Sequence, residues 1–156
     1  MALERPPPEA SPDITVRAVS TEEEMAEAMA IQWDAFAVSE SERAEQSRRV
    51  ADRLRLEQEH GFTKTFLAWV DGRPAAAALA VFAPQGGLLV GGSTQAWARG
   101  RGAYRALVRA RWDAAVERGT PTLVVQAGAM SGPIVRRLGF VPVSRIRHLV
   151  DVAGAA

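Results

Sequence analysis

Cysteine is absent from the sequence, and histidine is scarce. This absence excludes disulfides, thiolate metal ligands and a cysteine nucleophile. The only two histidines, His60 and His148, lie far apart in the sequence, so we expect no metal site. Lys64 is the only lysine, so nearly all basic residues are arginine. Because the formal net charge is only +1, this abundance of arginine indicates a general bias in composition more than a basic binding surface. We expect no nucleic-acid partner.

Long apolar runs are also missing, and no segment is predicted to span a membrane. The N-terminal sequence MALERPPPEASPD is polar, contains three consecutive prolines and lacks the apolar run of a secretory signal. We therefore expect a flexible tail over residues 1–12, one domain over residues 13–152 and a cytoplasmic location. The hydrophobic content of 47% is sufficient for the core of such a domain.

Alternating and helical spacings of apolar residues predict the order β-α-α-β-β-β-α-β-α-β-β. Pairs typical of capping boxes, Thr21 with Glu24 and Ser39 with Glu42, begin two helices, the second of which runs on to Gly61. The dipeptide Asp71-Gly72 predicts a hairpin. A long helix with a wide apolar face follows Gly102 and ends at Gly119, and the runs FVPVS and IRHLVDV are predicted to be closing strands.

The segment GGSTQAWARGRGAY has glycines and arginines directly before the long helix. A helix start has unpaired amides and partial positive charge, and glycine allows an anion to approach them. Arg99, Arg101 and Arg105 add charge around this turn. The alternative is a strand-to-helix turn that needs glycine only for its backbone angles. The Walker and Rossmann phosphate motifs fit this segment poorly, since Lys64 is distant and Arg105 stands where the latter needs glycine.

The run from Ala98 to Phe140 resembles the GNAT superfamily of acyl-CoA-dependent N-acetyltransferases. That family has Q/R-x-x-G-x-G/A at a helix start, matched here by the residues Arg99–Tyr104, and Leu-Gly-Phe after the next helix, matched by Leu138–Phe140. The order of elements is similar from about Asp13 to Val150. The resemblance implies one mixed α/β (α+β) domain with a central, mostly antiparallel sheet flanked by helices.

The resemblance also implies a binding site for acetyl-CoA, the expected cosubstrate. The pyrophosphate would rest on the backbone amides of Arg101 to Tyr104. The cofactor-binding residues expected in this turn are Arg99, Gly100, Arg101, Gly102, Ala103 and Tyr104. The pantetheine arm would pair with the strand at Gly92, Ser93 and Thr94 like an added strand. Gly91-Gly92 would allow that close approach, or would form only a bulge.

Three positions depart from the family pattern. Tyr104 stands where the family prefers glycine or alanine, so its side chain must turn away or stack on the ligand. Val135 occupies the place of the tyrosine that reprotonates the CoA thiolate in many members, and Gly128 replaces a common asparagine. The usual acid therefore cannot be carried over to this chain.

Ser131 is the nearest hydroxyl to the missing tyrosine and is a candidate proton donor, although a helix cap is the alternative. Asp34 and Glu40 flank the junction that borders the acceptor pocket in this family, where each is either catalytic or ordinary surface charge. His60 is expected to cap its helix, and His148 could face the acceptor. Trp33 and Phe36 are assigned to the core rather than to the pocket.

The resemblance implies an N-acetyltransferase in which a primary amine attacks acetyl-CoA directly, because no cysteine is available for a ping-pong route. The expected partner is a small-molecule or peptide amine, with a homodimer as an option. The alternative is a non-catalytic module that binds acyl-CoA or a protein, and the loss of the tyrosine favours it.

Overall fold

The computed structural model describes residues 1–147 and residue 149. These residues form one sheet of six strands. The strands are β1 (Ala2–Leu3), β2 (Ile14–Ala18), β3 (Thr63–Val70), β4 (Arg73–Ala83), β5 (Gly86–Thr94) and β6 (Leu123–Val125). Their order is β1-β6-β5-β4-β3-β2, and only β5 and β6 pair in parallel. The predicted fold class, a mixed domain with a mostly antiparallel sheet flanked by helices, is confirmed.

Five α-helices occur in the described part of the chain. They are α1 (Glu22–Ala35), α2 (Glu40–Ser47), α3 (Val50–His60), α4 (Ala103–Glu117) and α5 (Gly132–Arg137). Helix α1 packs on Leu67 and Ala77, whereas α4 and α5 share a core cluster with Phe66, Ala68 and Ala78. Alternate residues of β3 and β4 therefore contact opposite helical layers.

Strand β4 is rich in alanine, and this composition suits its central position. Ala75–Ala78 and Ala80 are fully buried. Alanine ordinarily favours helix, but here pairing on both edges and burial on both faces outweigh that preference. The small side chains allow α1 and α4 to pack closely against opposite faces of the same strand.

The parallel strands β5 and β6 pair only over a short distance and then separate. Their register runs from Gly87 with Leu123 to Leu89 with Val125. Strand β5 continues to Thr94, but within the described residues its second half has no partner on the β6 side. This separation leaves backbone groups of β5 open to a cleft near the start of α4.

The first predicted closing strand, FVPVS, is not present as a regular strand. Val141 forms an isolated bridge with Ala2, and residues 142–147 have no regular secondary structure. The edge of β6 is already paired with β1, and Pro142 cannot donate to a ladder that would extend the bridge. His148 and the end of the second predicted strand lie outside the described residues.

The first residues of the chain differ from the flexible tail predicted over residues 1–12. Ala2 and Leu3 are buried, and the Val125 amide donates to the Met1 carbonyl at 2.9 Å. Burial of Leu3 in the core and pairing with β6 favour this position over an unattached tail. Residues 4–12 have no regular secondary structure.

The helix predicted between Ser39 and Gly61 is divided into α2 and α3. The capping box of Ser39 and Glu42 and the left-handed Gly61 at the end are both confirmed. Between them, the Ser47 hydroxyl donates to the Arg43 carbonyl at 2.7 Å. Such local bonds compete with helix continuation, and the chain turns at Arg48 and Arg49.

Glu24 connects the start of α1 to strand β2. Its carboxylate accepts bonds from Arg17 Nε at 3.0 Å and from the Ser20 amide at 2.9 Å, while the Thr21 hydroxyl accepts from the Glu24 amide. Half of the predicted capping box is therefore confirmed, because the carboxylate bonds to Ser20 instead of Thr21. Burial would raise the pKa of Glu24, but the bonds from Ser20 and Arg17 outweigh it and lower that pKa.

We expect Glu24→Gln to lower the free energy of unfolding by about 1–2 kcal/mol near neutral pH, since it removes charge-assisted hydrogen bonds. The folded-state pKa of Glu24 lies below the unfolded one, so this stabilisation is present above the unfolded pKa and is lost as pH falls through the folded pKa. Urea unfolding of both proteins at about pH 7 and about pH 3 measures the difference. A gap that stays constant over this range would contradict the assignment.

Candidate active site

A cleft of about 630 Å³ opens where β5 separates from β6. One wall is the second half of β5 with the turn before α4, and the other is formed by the loop after β6 and by α5. Every residue that the sequence singled out for cofactor binding or proton donation lines this cleft except Arg101. The structure therefore brings Gly92–Thr94, the glycine-arginine turn and Ser131 together.

The turn before α4 contains two glycines in the left-handed region. Gly100 has φ +79° and Gly102, the N-cap of α4, has φ +92°. Both glycines are therefore required by the turn itself. The first hydrogen bond of the helix joins the Ala106 amide to the Gly102 carbonyl, so the amides of Ala103, Tyr104 and Arg105 have no intrahelical acceptor.

The arginines of the turn have different positions. Arg99 Nε donates to the Thr94 carbonyl at 3.4 Å, at the edge of the cleft. Arg105 also lines the cleft, and its Nε is buried without a hydrogen-bond partner among the described residues. Arg101 instead forms a 2.7 Å ion pair with Asp71 of the β3–β4 hairpin and lowers the pKa of that carboxyl. The Arg101 side chain is thus held by Asp71 in this structure, and its place beside a bound anion stays a prediction.

A bulge shapes β5 where it borders the cleft. Gly91 has φ +58°, and the register between β4 and β5 shifts between Ala77 and Leu79. The Gln32 side chain donates to the Gly91 carbonyl at 3.1 Å and connects the bulge to α1. Gly91-Gly92 thus forms the predicted bulge, and the strand beyond it borders open space.

The sequence model of the Acetyltransferase (GNAT) domain matches residues 7–130, which is more than half of the chain. The chain belongs to the GNAT acetyltransferase family. No match was found among curated proteins.

Solved structures of other acetyltransferases share the fold of this GNAT domain. An acetyltransferase from Trypanosoma brucei has a TM-score of 0.71 at 17% identity, covering 88% of this chain and 99% of that chain. A predicted acetyltransferase from Clostridium acetobutylicum with acetyl-CoA has 0.67 at 13% identity, covering 88% and 96%. AAC(6')-Iy in complex with the bisubstrate analogue CoA-S-monomethyl-acetylneamine has 0.70 at 14% identity, covering 88% and 97%.

Tyr104, which departs from the pattern of the GNAT family, packs its ring on Gly92. A Cβ on Gly92 would lie 2.7 Å from Tyr104 Cε2, a contact that real Cβ atoms essentially never make. The ring has turned away from the helix start and lies over β5, so the Tyr104 amide is left accessible. Gly92 is therefore required by its neighbour as well as by its place beside the bulge.

Arg111 lies behind Tyr104 and is the functional candidate that the sequence analysis missed. It is fully buried, and its Nε and Nη1 donate to the carbonyls of Leu107 and Leu79 at 2.9 and 3.4 Å. Burial lowers the pKa of Arg111 to about 10, and the neighbouring Tyr104 side chain opposes this shift. The sequence feature that could have identified Arg111 is its position on α4, outside the polar row that Arg105 and Arg109 form along the helix.

Ser131 lies at the N-cap position of α5 but makes no side-chain cap bond. Its Oγ accepts from the Gly128 amide at 3.1 Å, so its own proton is free for another acceptor. Val135, at the position of the usual tyrosine, is fully buried in the core. The assignment of Ser131 as proton donor stays a prediction.

Other predicted candidates lie outside the cleft lining. Asp34 accepts from Arg43 at 2.9 Å and from Gln95 at 3.4 Å, and the Arg43 bond lowers the pKa of this carboxyl. Glu40 is exposed on α2. His60 ends α3, and its ring contacts Phe62. His148 is outside the described residues.

The far side of the cleft is apolar. Phe36, assigned to the core from the sequence, is 60% exposed and lines the cleft with Met130 and Ile134. Trp33 is half-buried and donates to Gln46 at 2.6 Å. Helix α1 ends at Ala35, and Phe36 follows as its C-cap residue. The Phe36 side chain is therefore not on the buried face of the helix and lies outside the core.

Among the described residues, no group of three or more His, Asp and Glu side chains could hold a metal ion. No helix among these residues has the length and apolar character needed to cross a membrane.

We expect Gly92→Ala to destabilise the domain by about 1–2 kcal/mol, because the added methyl forces the Tyr104 ring to move. In a Tyr104→Ala background the same change should cost less, giving a coupling of at least about 0.5 kcal/mol in a double-mutant cycle. Gly128→Ala is the control, since a Cβ there meets nothing within 4 Å. Additive effects at positions 92 and 104, measured by chemical unfolding, would contradict the contact.

Proposed function

We propose that this domain transfers the acetyl group of acetyl-CoA to a primary amine by direct attack. The observation that carries the proposal is the convergence of an unpaired strand edge, three free helix amides and the unpartnered Nε of Arg105 in one cleft. Each of these groups matches one part of the cosubstrate. Family membership supplies the class of reaction.

The amides at the start of α4 are suited to the pyrophosphate of CoA. Ala103, Tyr104 and Arg105 present N–H groups and the positive end of the helix dipole to the cleft. The buried, unpartnered Arg105 Nε adds a charge-assisted donor. The Arg101 side chain is assigned no contact, since it is paired with Asp71.

The unpaired edge of β5 is suited to the amide groups of the pantetheine arm. Backbone groups from Gly92 to Thr94 would pair with it as a neighbouring strand would. A backbone amide in this segment would also polarise the thioester carbonyl. The Clostridium acetobutylicum structure with acetyl-CoA, which shares this fold, supports the choice of cosubstrate.

The acceptor side of the cleft suits a neutral amine. No Asp, Glu or His is found among the described residues that line the cleft, so the amine would enter without its proton. The exposed apolar side chains of Phe36, Met130 and Ile134 would contact the part of the acceptor beyond the amine. The sequence contains no cysteine for an acyl-enzyme on sulfur, which favours direct attack.

A non-catalytic acyl-CoA-binding module is the second candidate, and one observation favours it. Val135 places a buried apolar side chain where many family members have the tyrosine acid. The two candidates agree on binding and differ on turnover. Release of free thiol from acetyl-CoA, measured with a panel of small amines and peptides at about pH 9, separates them.

We expect acetyl-CoA at about 100 times its Kd to raise the Tm by about 5–10 °C, since it binds only the folded state. The absence of any shift at saturation would contradict both candidates. Thiol release with at least one amine supports the enzyme, whereas a shift without thiol release supports the binding module.

We expect Arg105→Gln to weaken CoA binding about 10-fold, because it removes a charge-assisted contact with phosphate. Arg109→Gln is the matched control. Arg109 lies one turn further along α4 and pairs with Asp113 and Glu9, away from the cleft. Calorimetric titration of both variants with CoA measures the difference. Equal affinities would show that Arg105 does not contact the phosphates.

A further inference from the structure

We propose that Tyr104 is the general acid that protonates the departing CoA thiolate, an inference that rests on the acetyl transfer proposed above. In the sequence, Tyr104 departs from the phosphate-binding pattern of the family. Its amide serves that pattern, whereas its side chain lies elsewhere. It is the only tyrosine in the chain.

The position of the ring places the hydroxyl beside the strand that would hold the thioester. Tyr104 lines the cleft, and its Cζ lies 3.7 Å from the point that a Cβ on Gly92 would occupy. The hydroxyl is bonded to this Cζ. Gly92–Thr94 is the segment whose amides would bind the thioester carbonyl, and the sulfur is bonded to that carbonyl carbon.

Arg111 provides the charge that a proton donor of this kind needs. The guanidinium is fully buried, and it forms no ion pair with a carboxylate among the described residues. Its Nη2 is buried, and no hydrogen-bond partner for it occurs in the described part of the chain. A buried cation without a counter-charge is costly, and a phenolate formed at Tyr104 would supply that charge. Arg111 is therefore a positioning residue for Tyr104.

The proposed step balances in atoms and charge. The amine nitrogen forms a bond to the thioester carbonyl carbon, and the C–S bond breaks with its electron pair passing to sulfur. The Tyr104 hydroxyl gives its proton to that sulfur, which yields neutral CoA thiol and a phenolate beside Arg111. The amide product loses the extra proton of its nitrogen through water, and that proton restores the Tyr104 hydroxyl.

Tyr104 is better suited to this step than the serine hydroxyls of the cleft. An ordinary phenol has a pKa of about 10 and an ordinary alkyl thiol about 8.5, so proton transfer between them is close to balanced. The pKa of an aliphatic hydroxyl is much higher. The Ser93 hydroxyl in addition donates to the Ala77 carbonyl at 3.4 Å, so its proton is already used. Ser131 has a free proton and is the rival.

Tyr104→Phe tests the proposal directly, because it removes only the hydroxyl and keeps the ring on Gly92. We expect kcat to fall about 100-fold, while the Kd for CoA and the KM for acetyl-CoA change less than about twofold. An unchanged kcat overturns the proposal. A fall in kcat for Ser131→Ala with none for Tyr104→Phe assigns the acid to Ser131 and also overturns it.

A second measurement does not depend on turnover, and so separates this proposal from the proposed function. With tyrosine labelled by ¹³C at Cζ, the single Tyr104 resonance can be followed by NMR. We expect CoA to shift this resonance and desulfo-CoA, which lacks the sulfur, to leave it near its free position. Equal shifts with both ligands overturn the proposal. A sulfur-dependent shift without thiol release on any amine instead supports the contact and contradicts the proposed function.

Arg111→Met tests the positioning role, with Arg109→Met as the matched change on the same helix. We expect Arg111→Met to lower kcat about 10-fold at unchanged KM for acetyl-CoA, and Arg111→Lys to recover part of the loss because it keeps a cation. Arg109→Met should leave kcat unchanged. If Arg111→Met folds and keeps full kcat, the role of Arg111 is overturned. If it fails to fold, Arg111→Lys carries the comparison: a partial loss of kcat at unchanged KM supports the positioning role, and a kcat at the wild-type value overturns it.

Discussion

The separation of β5 from β6 is the constraint on which the site depends. A parallel pair that continued to Thr94 would satisfy the backbone groups of β5 internally and leave no cleft. Because pairing stops at Leu89 and Val125, the rest of β5 has no neighbouring strand on its β6 side among the described residues. The Gly91 bulge, held by Gln32 of α1, changes the direction of the strand in the same region.

The layers on either side of the sheet fix the helix start relative to this open edge. The alanines of β4 allow α1 and α4 to pack closely on opposite faces, and the bonds at Glu24 fix the start of α1 to β2. Helix α4 is held along its length by a wide buried face, so its first amides have a defined position. The site is thus built from backbone groups whose places are set by distant core contacts.

The sequence predicted the elements that depend on local patterns. The Asp71-Gly72 hairpin, the Ser39 capping box and α4 follow from short-range chemistry, and the family resemblance located the cleft residues. Prediction from the sequence failed where contacts between residues distant in the sequence decide the local structure. Residues 142–147 do not form a strand, because β1 already pairs with β6, and Leu3 is drawn into the core. Arg101 leaves the turn for Asp71, and the contact of Tyr104 with Gly92 joins positions whose proximity no spacing rule indicates.

The packing of Tyr104 on Gly92 has a consequence for the evolution of such domains. The aromatic ring at the helix start fills the space that a side chain at the facing strand position would need, so a side chain gained at position 92 displaces the ring. We therefore expect side chains at position 92 mainly in relatives with a smaller residue at position 104. Arg111 neighbours the Tyr104 side chain, so a change at position 104 alters the surroundings of the other two residues.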